Sequence, residues 1–489
     1  MTLGRMETAT LRAEPSRVIG QLFLPGEESA NTHSRAAQIV QRVLALSGPA
    51  TEEIAARLIR DFDGRHPDIR ALFVANADAV SSRVSDLEEI TESRKIVLGA
   101  SFTAEFALEG AGICNPSAIE HPDQDGMAPG HLRVAIALRA IGEGHLSSIG
   151  FAEATIGPGA TWSFHDREAP PWRPHLSDGS WSITHFRAAA EHEGILNETS
   201  HAVLRELPAR FSPPDIDIAV AALPAELSTR ADSRRQIDAL RTLAASAYRT
   251  TFSPQTGLSQ RVLTPVAAEE NHGMEDARFV RFTDAEGAVE YRATYTAYDG
   301  RNIAPRLIIT PDLRDFTVHR LAGAAAQNKG MALFPRVVGG RHLALCRTGG
   351  ENISLAESTD GVIWSQGPTV HSPRQSWEIV QTGNCGPPIE TDDGWLVLTH
   401  GVGPMRTYVL AALLLDLQDP SIVIGRTATP ILEPRSDGRD GYVPNVVYSC
   451  GGIIHEGVLW IPIGITDSRI GVCSVDLAEL LRSMVAETR

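Results

Sequence analysis

Two adjacent carboxylates open the stretch of chain best suited to chemistry. Glu275-Asp276-Ala277-Arg278 follows EENHGM and leads straight into the apolar run FVRF. A carboxyl group where a core strand begins can sit in a confined, partly dry place that raises its pKa enough to donate a proton. The same four residues also suit a solvated turn with a surface ion pair. A second polar cluster, Tyr298-Asp299-Gly300-Arg301, closes the next apolar run. Tyr298 would offer a ring to the C–H face of a sugar and Asp299 would accept from its hydroxyls. Asp-Gly is equally an ordinary turn dipeptide.

Basic residues recur beside apolar runs in the same way. Arg139 ends VAIALR, Arg347 ends HLALCR and His400 ends GWLVLTH, while Lys329 and Arg336 flank MALFP. One such residue alone suits a rim salt bridge. Several converging on one axis of an acidic protein would make an anion site, with arginine able to grip a phosphate bidentately. The compact catalytic signatures are missing from the sequence: no P-loop, no G-x-S-x-G, no H-E-x-x-H, no EF-hand loop and no dinucleotide fingerprint. Neither a metal nor an organic cofactor is expected.

Short strands must position these groups. Hairpin-like runs recur as RFVRFTDAEGAVEYRATYTAYDG, LFPRVVGGRHLALCR, PPIETDDGWLVLTHGV and GGIIHEGVLWIPIGI, and strand-like tails follow as APRLIIT, ENISLAES, YVLAALLLDL and RIGVCSVDL. With the earlier HLRVAIALRA, the repetition predicts about five four-stranded units, as in a β-propeller, with a β-sandwich pair as the alternative. The first hundred residues read as helices, with Thr51 as an N-cap before TEEIAARLIRDF. Two further helical stretches, EGILNETSHAVLREL and STRADSRRQIDALRTLAASAY, are joined by the proline-rich ARFSPPDIDIAVAALPAE. The expected fold is mainly β: a five-bladed β-propeller over residues 97–489 with a helical insertion at about 192–252, preceded by a helical extension over residues 1–96.

Composition sets the outer bounds. The 489 residues are 43% hydrophobic and 21% charged, ordinary globular values that exclude wholesale disorder. Sixty acidic against forty-four basic residues give a net charge of −16, which disfavours nucleic acid as a partner. No apolar run approaches a membrane span, and the start MTLGRMETATLRAEPSR has no signal-like apolar core. The five cysteines are scattered without a C-x-x-C, so reduced thiols and a cytoplasmic location are expected.

Taken in order, ENHGMEDARFV, YTAYDGR, KGMALFPR, LALCR with ISLAESTDGVIW, GPPIETDDGWLVLTHGV, LLLDLQDPSIVIGRTATPILEP, and GYVPNVVYSCG with ITDSRIGVCSVDL resemble glycoside hydrolase family 130. The likeness is dense from about residue 265 to 482. It is looser over 97–160, where CNPS and ALRA resemble the first blade. It implies a five-bladed β-propeller acting on β-mannosides, in a family of inverting phosphorylases and some hydrolases. It implies Asp276 as the proton donor, acting through a sugar hydroxyl, and a phosphate pocket built from Arg139, Lys329, Arg347 and His400, with Arg336 joining them. Arg336 stands where many members carry glutamate after L-F-P, which favours phosphate over an activated water. Substrate contacts are expected from Asn115, His145, Glu275, Arg278, Tyr298, Asp299, Asp440 and Asp467.

The expected reaction is inverting phosphorolysis of β-mannosides, such as β-1,2-linked manno-oligosaccharides, to mannose 1-phosphate, with inorganic phosphate as co-substrate. An inverting β-1,2-mannosidase is the alternative, needing a second carboxylate such as Glu378, Asp440 or Asp467 as base. A propeller that only binds carbohydrate is the alternative of another class. The expected partners are the oligosaccharide, phosphate and further copies of the chain, with no nucleic acid and no membrane.

Overall fold

The computed structural model describes residues 3–25, 32–81, 90–435 and 440–487. The chain divides into two compact units. One comprises residues 14–110 with 168–173, the other residues 1–13, 111–167 and 174–489.

The smaller unit is helical. Thr32–Leu44, Gly48–Phe62, Ile69–Ser81 and Glu92–Ser101 pack their apolar stripes together around Val40, Phe73, Ala77, Leu98 and Phe102. Two points differ from the sequence expectation. The N-cap of the second helix is Ser47, with Pro49 in the first turn, and the buried Thr51 hydroxyl donates back to the Ser47 carbonyl. The helix predicted to give way to strand near residue 97 continues to Ser101, because Ile96, Val97 and Leu98 complete the buried stripe. A short ladder, Val18–Leu22 with Thr103–Ala107, finishes this unit.

The larger unit is mainly β. It repeats one pattern: a first strand, then three more laid antiparallel beside it in sequence. The first repeat runs Gly112–Glu120, Leu132–Ile141, Ser147–Gly157 and Thr161–Phe164. The second runs Gly273–Thr283, Val289–Tyr298, Ile303–Thr310 and Asp315–Arg320. The third runs Ala332–Leu333, His342–Thr348, Asn352–Ser358 and Ser365–His371. The fourth starts with the broken pair Gln381–Asn384 and Ile389–Thr391 and continues through Gly394–Val402, Tyr408–Leu415 and Val423–Arg426. The fifth starts with Val447–Tyr448 and Ile453–His455, adds Val458–Ile465 and Arg469–Asp476, and takes its outer strand, Arg5–Arg12, from the other end of the sequence. That last strand lies in a region expected to be helical. Its alternating RMETATLR pattern suits an outer strand, and its partner is more than 450 residues away, beyond any local reading.

Neighbouring repeats touch through their first strands and the turns beside them. Parallel bridges join Ser147 to Gly273, Thr283 to Arg336, Tyr408 to Val446 and Ser117 to Gly451. The third and fourth repeats meet through the Phe334 and Trp395 rings, 5.1 Å apart edge to face. Each sheet remains an open ladder.

A helical insertion separates the first and second repeats. Ile183–His192, Glu198–Glu206, Pro213–Ala221, Ala225–Ser228 and Ala231–Ala245 share a core of Trp181, Phe186, Val203, Ile216, Ile237 and Leu240. The helices begin earlier than the sequence predicted. The proline-rich joint is itself a helix, because Pro213 and Pro214 occupy its first turn, where no amide donor is needed, and Ser212 and Asp215 cap it reciprocally.

Candidate active site

The two strands nearest the chemistry carry the same defect. In Gly273–Thr283 the pairing register slips between Glu275 and Arg278, and Asp276 adopts a left-handed φ of 58°. In Gly112–Glu120 the register slips between Cys114 and Ser117, and Asn115 has a φ of 50°. A β-bulge turns a side chain out of its alternation. Here two bulges turn Asn115 and Asp276 toward each other, and the Asn115 amide donates to Asp276 Oδ1 at 2.5 Å.

Cations surround the carboxylate pair. Arg139 donates from Nη2 to Glu275 at 2.9 Å and from Nε to Ser147 at 2.8 Å, and its Nη1 lies 3.6 Å from Asp276. Lys329 Nζ lies 2.6 Å from the other Glu275 oxygen and 5.7 Å from the centre of the Tyr298 ring. Burial pushes the Asp276 carboxyl up, but Arg139, Arg278, the Asn115 hydrogen bond and Lys329 outweigh it and hold the group below the usual carboxylate range. Burial also works against the charge on Arg139, yet Asp276, Cys114 and Glu275 leave it firmly protonated.

A cavity of about 480 Å³ opens over this pair. Asn115, Asp276 and Asp467 line it, as do Lys329, Arg347, Gln381, His400 and Tyr408. Asp467 sits in a left-handed turn with φ 50°, and its Oδ1 is buried without a hydrogen-bond partner. Burial and the nearby Asp276 charge raise its pKa to about 6, against the opposing pull of Arg139. The two carboxylates of one cavity are therefore driven in opposite directions.

Several expectations are corrected by where the residues lie. Arg336 is not in this cavity. Its Nε donates to Glu390 at 2.9 Å, its guanidinium covers the Trp395 ring at 4.9 Å, and it lines a separate cavity of about 780 Å³ with Arg281 and Glu390. The reason is strand direction: Lys329 precedes the strand Ala332–Leu333 and Arg336 follows it, so they fall at opposite ends. The larger cavity is the poorer candidate, because its arginines face carboxylates of their own, Arg336 with Glu390 and Arg281 with Glu120. His400 lines the expected cavity but is not a cation. Burial drives its imidazole well below the usual value, and Arg347 and Arg278 push the same way. Its ring stacks on Tyr408 and meets Tyr448 edge-on.

Arg278 is a tie rather than a substrate contact. It is fully buried and donates to the Cys385 carbonyl at 2.8 Å, the Asp276 carbonyl at 2.8 Å and the Tyr448 hydroxyl at 3.1 Å. Asp299 serves its own turn, accepting from the amides of Arg301 and Asn302, and the Tyr298 hydroxyl donates to the Gly300 carbonyl. His145 is exposed and hydrogen-bonded to the Tyr442 hydroxyl. Asp440 is exposed, and its carbonyl accepts from Thr466. Glu378 is spent on His371, Thr382 and the amides of Arg374 and Gln375. Of the three carboxylates considered as a base, Asp467 is the one that lines the cavity. Gln381, Met405, Arg406, Tyr408 and Tyr448 also line it and were not singled out in the sequence. The left-handed turn holding Met405 and Arg406 leaves no local signature in GVGPMRTY. Among the described residues no cluster of three or more His, Cys, Asp or Glu side chains is placed to hold a metal.

Comparison with known proteins bears on this arrangement. The profile of glycoside hydrolase family 130, described as β-1,4-mannooligosaccharide phosphorylase, matches residues 255–486. A 1,2-β-oligomannan phosphorylase from Thermoanaerobacter sp. (strain X514) is 32% identical over 227 residues, covering 46% of this chain and 75% of the relative. The chain belongs to glycoside hydrolase family 130. A β-1,2-mannobiose phosphorylase from the same organism is 34% identical over 220 residues, covering 44% of this chain and 70% of the relative. Among solved structures, a β-1,2-mannobiose phosphorylase from Listeria innocua in complex with β-1,2-mannobiose aligns over 77% of this chain and 92% of its own, with 24% identity and a TM-score of 0.47. Asp276, Lys329, Arg347, His400 and Asp467 lie inside the family match, whereas Asn115 and Arg139 precede it.

Proposed function

We propose that this chain is an inverting β-mannoside phosphorylase that cleaves β-1,2-linked manno-oligosaccharides with inorganic phosphate, releasing mannose 1-phosphate. It is an enzyme of β-mannosidic bonds, as its family membership supports. The observation that carries the phosphorolytic reading is the lining of one cavity by Asp276 together with Lys329, Arg347 and the neutral His400. An inverting reaction needs an acid and a nucleophile on opposite faces of the sugar. Phosphate is already a nucleophile, so one carboxyl acid is enough.

Asp276 is the proton donor in this reading, with Asn115 fixing its orientation. The surrounding cations keep it ionised. A phosphate dianion on Lys329 and Arg347 would offset part of that positive field and raise the Asp276 pKa, so that anion binding and protonation favour each other. His400, neutral, would donate or accept one hydrogen bond to the phosphate rather than supply charge. Asp467, which lines the same cavity, would accept from a sugar hydroxyl.

The five strand repeats are read as blades of a five-bladed propeller, supported by the cyclic order of their bridges. The helical segments before residue 97 and near 192–252 are then additions to it. The five cysteines are all buried free thiols, which suits a reducing cytoplasm, and no described helix is long and apolar enough to cross a membrane.

The deciding experiment is incubation with β-1,2-mannobiose, with and without phosphate. Phosphate-dependent appearance of mannose 1-phosphate supports the proposal. Release of free mannose at an unchanged rate without phosphate would replace it by an inverting β-1,2-mannosidase, for which Asp467 is the available base. Inertness toward every β-mannoside tried would leave a carbohydrate-binding role.

A further inference from the structure

The turn between the second and third strands of each repeat gives an internal comparison. All five contain left-handed backbone. In the first repeat the residues are Gly144 and His145, with φ 64° and 62°; in the second, Gly300 with φ 96°; in the third, Gly349 and Gly350 with φ 62° and 80°. In the fourth they are Met405 and Arg406, with φ 58° and 51°, and in the fifth Thr466 and Asp467, with φ 52° and 50°. Tight hairpin turns demand this conformation, and glycine adopts it at least cost. Two repeats use glycine alone, and the first pairs Gly144 with His145. The two that use no glycine are those whose turn side chains line the active-site cavity: Met405 and Arg406 in one, Asp467 in the other. Backbone strain kept where a cheaper residue would serve points to the side chain as its purpose.

Asp467 is already accounted for, and Arg406 is not. Its chemistry follows from contrast with the other cations. Arg139 is tied to Glu275 and Ser147, Lys329 to Glu275, and Arg347 to the Gly350 carbonyl. Arg406 is exposed, and among the described residues its guanidinium has neither a hydrogen-bond nor an ion-pair partner. It lies two residues before Tyr408, whose ring stacks on His400 at 5.9 Å, and it lines the same cavity as His400, Arg347 and Lys329. An unpaired guanidinium lining one cavity with a second arginine, a lysine and a neutral histidine is suited to a phosphoryl group, reached from the exposed edge while Arg347 and Lys329 hold it from within.

We propose that Arg406 is a phosphate-binding residue of this enzyme, contacting inorganic phosphate in the cleavage direction and the phosphoryl group of mannose 1-phosphate in the synthetic direction. The proposal rests on the phosphorylase reading given above.

The test is steady-state kinetics of the wild type, Arg406→Gln and Arg406→Lys in both directions, with thermal melting of each protein to show that the fold is kept. In Arg406→Gln the KM for phosphate and the KM for mannose 1-phosphate should each rise about tenfold, the order of one charge-assisted hydrogen bond at a partly exposed site. The KM for β-1,2-mannobiose should stay within about twofold. Arg406→Lys should recover part of the loss, and the penalty should shrink in high salt. A wild type that requires phosphate, with an Arg406→Gln variant whose phosphate KM is unchanged or whose mannobiose KM rises equally, overturns the assignment of Arg406 and leaves the phosphorylase reading standing. A wild type indifferent to phosphate removes both.

Discussion

Replacing Asp467 by asparagine should stabilise the fold, and only above a defined pH. The Asp467 pKa stands at about 6 against an ordinary value of 3.8, because burial and the Asp276 charge both oppose its ionisation. Between those two values the folded protein binds a proton that the unfolded chain has released. Stability therefore falls as pH rises through the window, and it is flat again above the folded value. A displacement of about two units is worth about 3 kcal/mol at most, since each unit is about 1.4 kcal/mol. Asparagine keeps the shape, tolerates the left-handed φ of 50° and cannot ionise. The stability difference between Asp467→Asn and the wild type should thus grow by about 2–3 kcal/mol between pH 4 and pH 7, with the variant gaining. Urea unfolding of both proteins at half-unit pH steps measures it, and the difference cancels the titrating groups that do not interact with Asp467. A gap that stays constant over that range would show that Asp467 ionises normally and would refute the reasoning. Turnover of Asp467→Asn should fall even as stability rises.

Asp276→Asn should keep the fold and lose about 10²–10⁴-fold in turnover, the usual worth of a positioned general acid; retention of more than a tenth of the rate would disqualify it. Arg278→Met should lower stability by about 3–5 kcal/mol, because it strands the Cys385 and Asp276 carbonyls and the Tyr448 hydroxyl in a buried place; a thermal midpoint unchanged within a degree would contradict the tie. Gly99→Ala should cost about 1–3 kcal/mol in the helical unit, since a Cβ there meets the Phe73 backbone rather than a movable side chain; equilibrium unfolding followed by helical circular dichroism checks it.

How much of this was legible in the sequence depended on whether the cause is local. The strands HLRVAIALRA and GWLVLTH and the doublet Glu275-Asp276 announce themselves by alternation and by charge beside apolar residues. Lys329 and Arg336 looked alike because both flank one strand; nothing in MALFPR says which end faces the chemistry, and the partners met at each end, Glu275 and Glu390, decide it. The charge expected on His400 disappears through burial among Tyr408, Tyr448 and Arg347, contacts made by other strands. The bulges that aim Asn115 and Asp276 at each other exist only as a mismatch of register with a partner strand. The proline-rich stretch read as a joint between helices, although Ser212 and Asp215 cap a helix that begins at Pro213.

The strand Arg5–Arg12 has a consequence for synthesis. It leaves the ribosome more than 450 residues ahead of its partner, Arg469–Asp476. While the intervening residues are made, that strand has no native edge to join. The Ser474 hydroxyl bonds to Glu7 across 467 positions of chain, so the contact forms only after those positions have been made. Closing so long a loop costs little more than closing one of half the length. The larger hazard is time: the unpaired strand stays exposed to other copies of the chain until its own partner has been made. Crowded expression therefore favours exchange of this strand between chains, and slower initiation should favour the monomeric pairing.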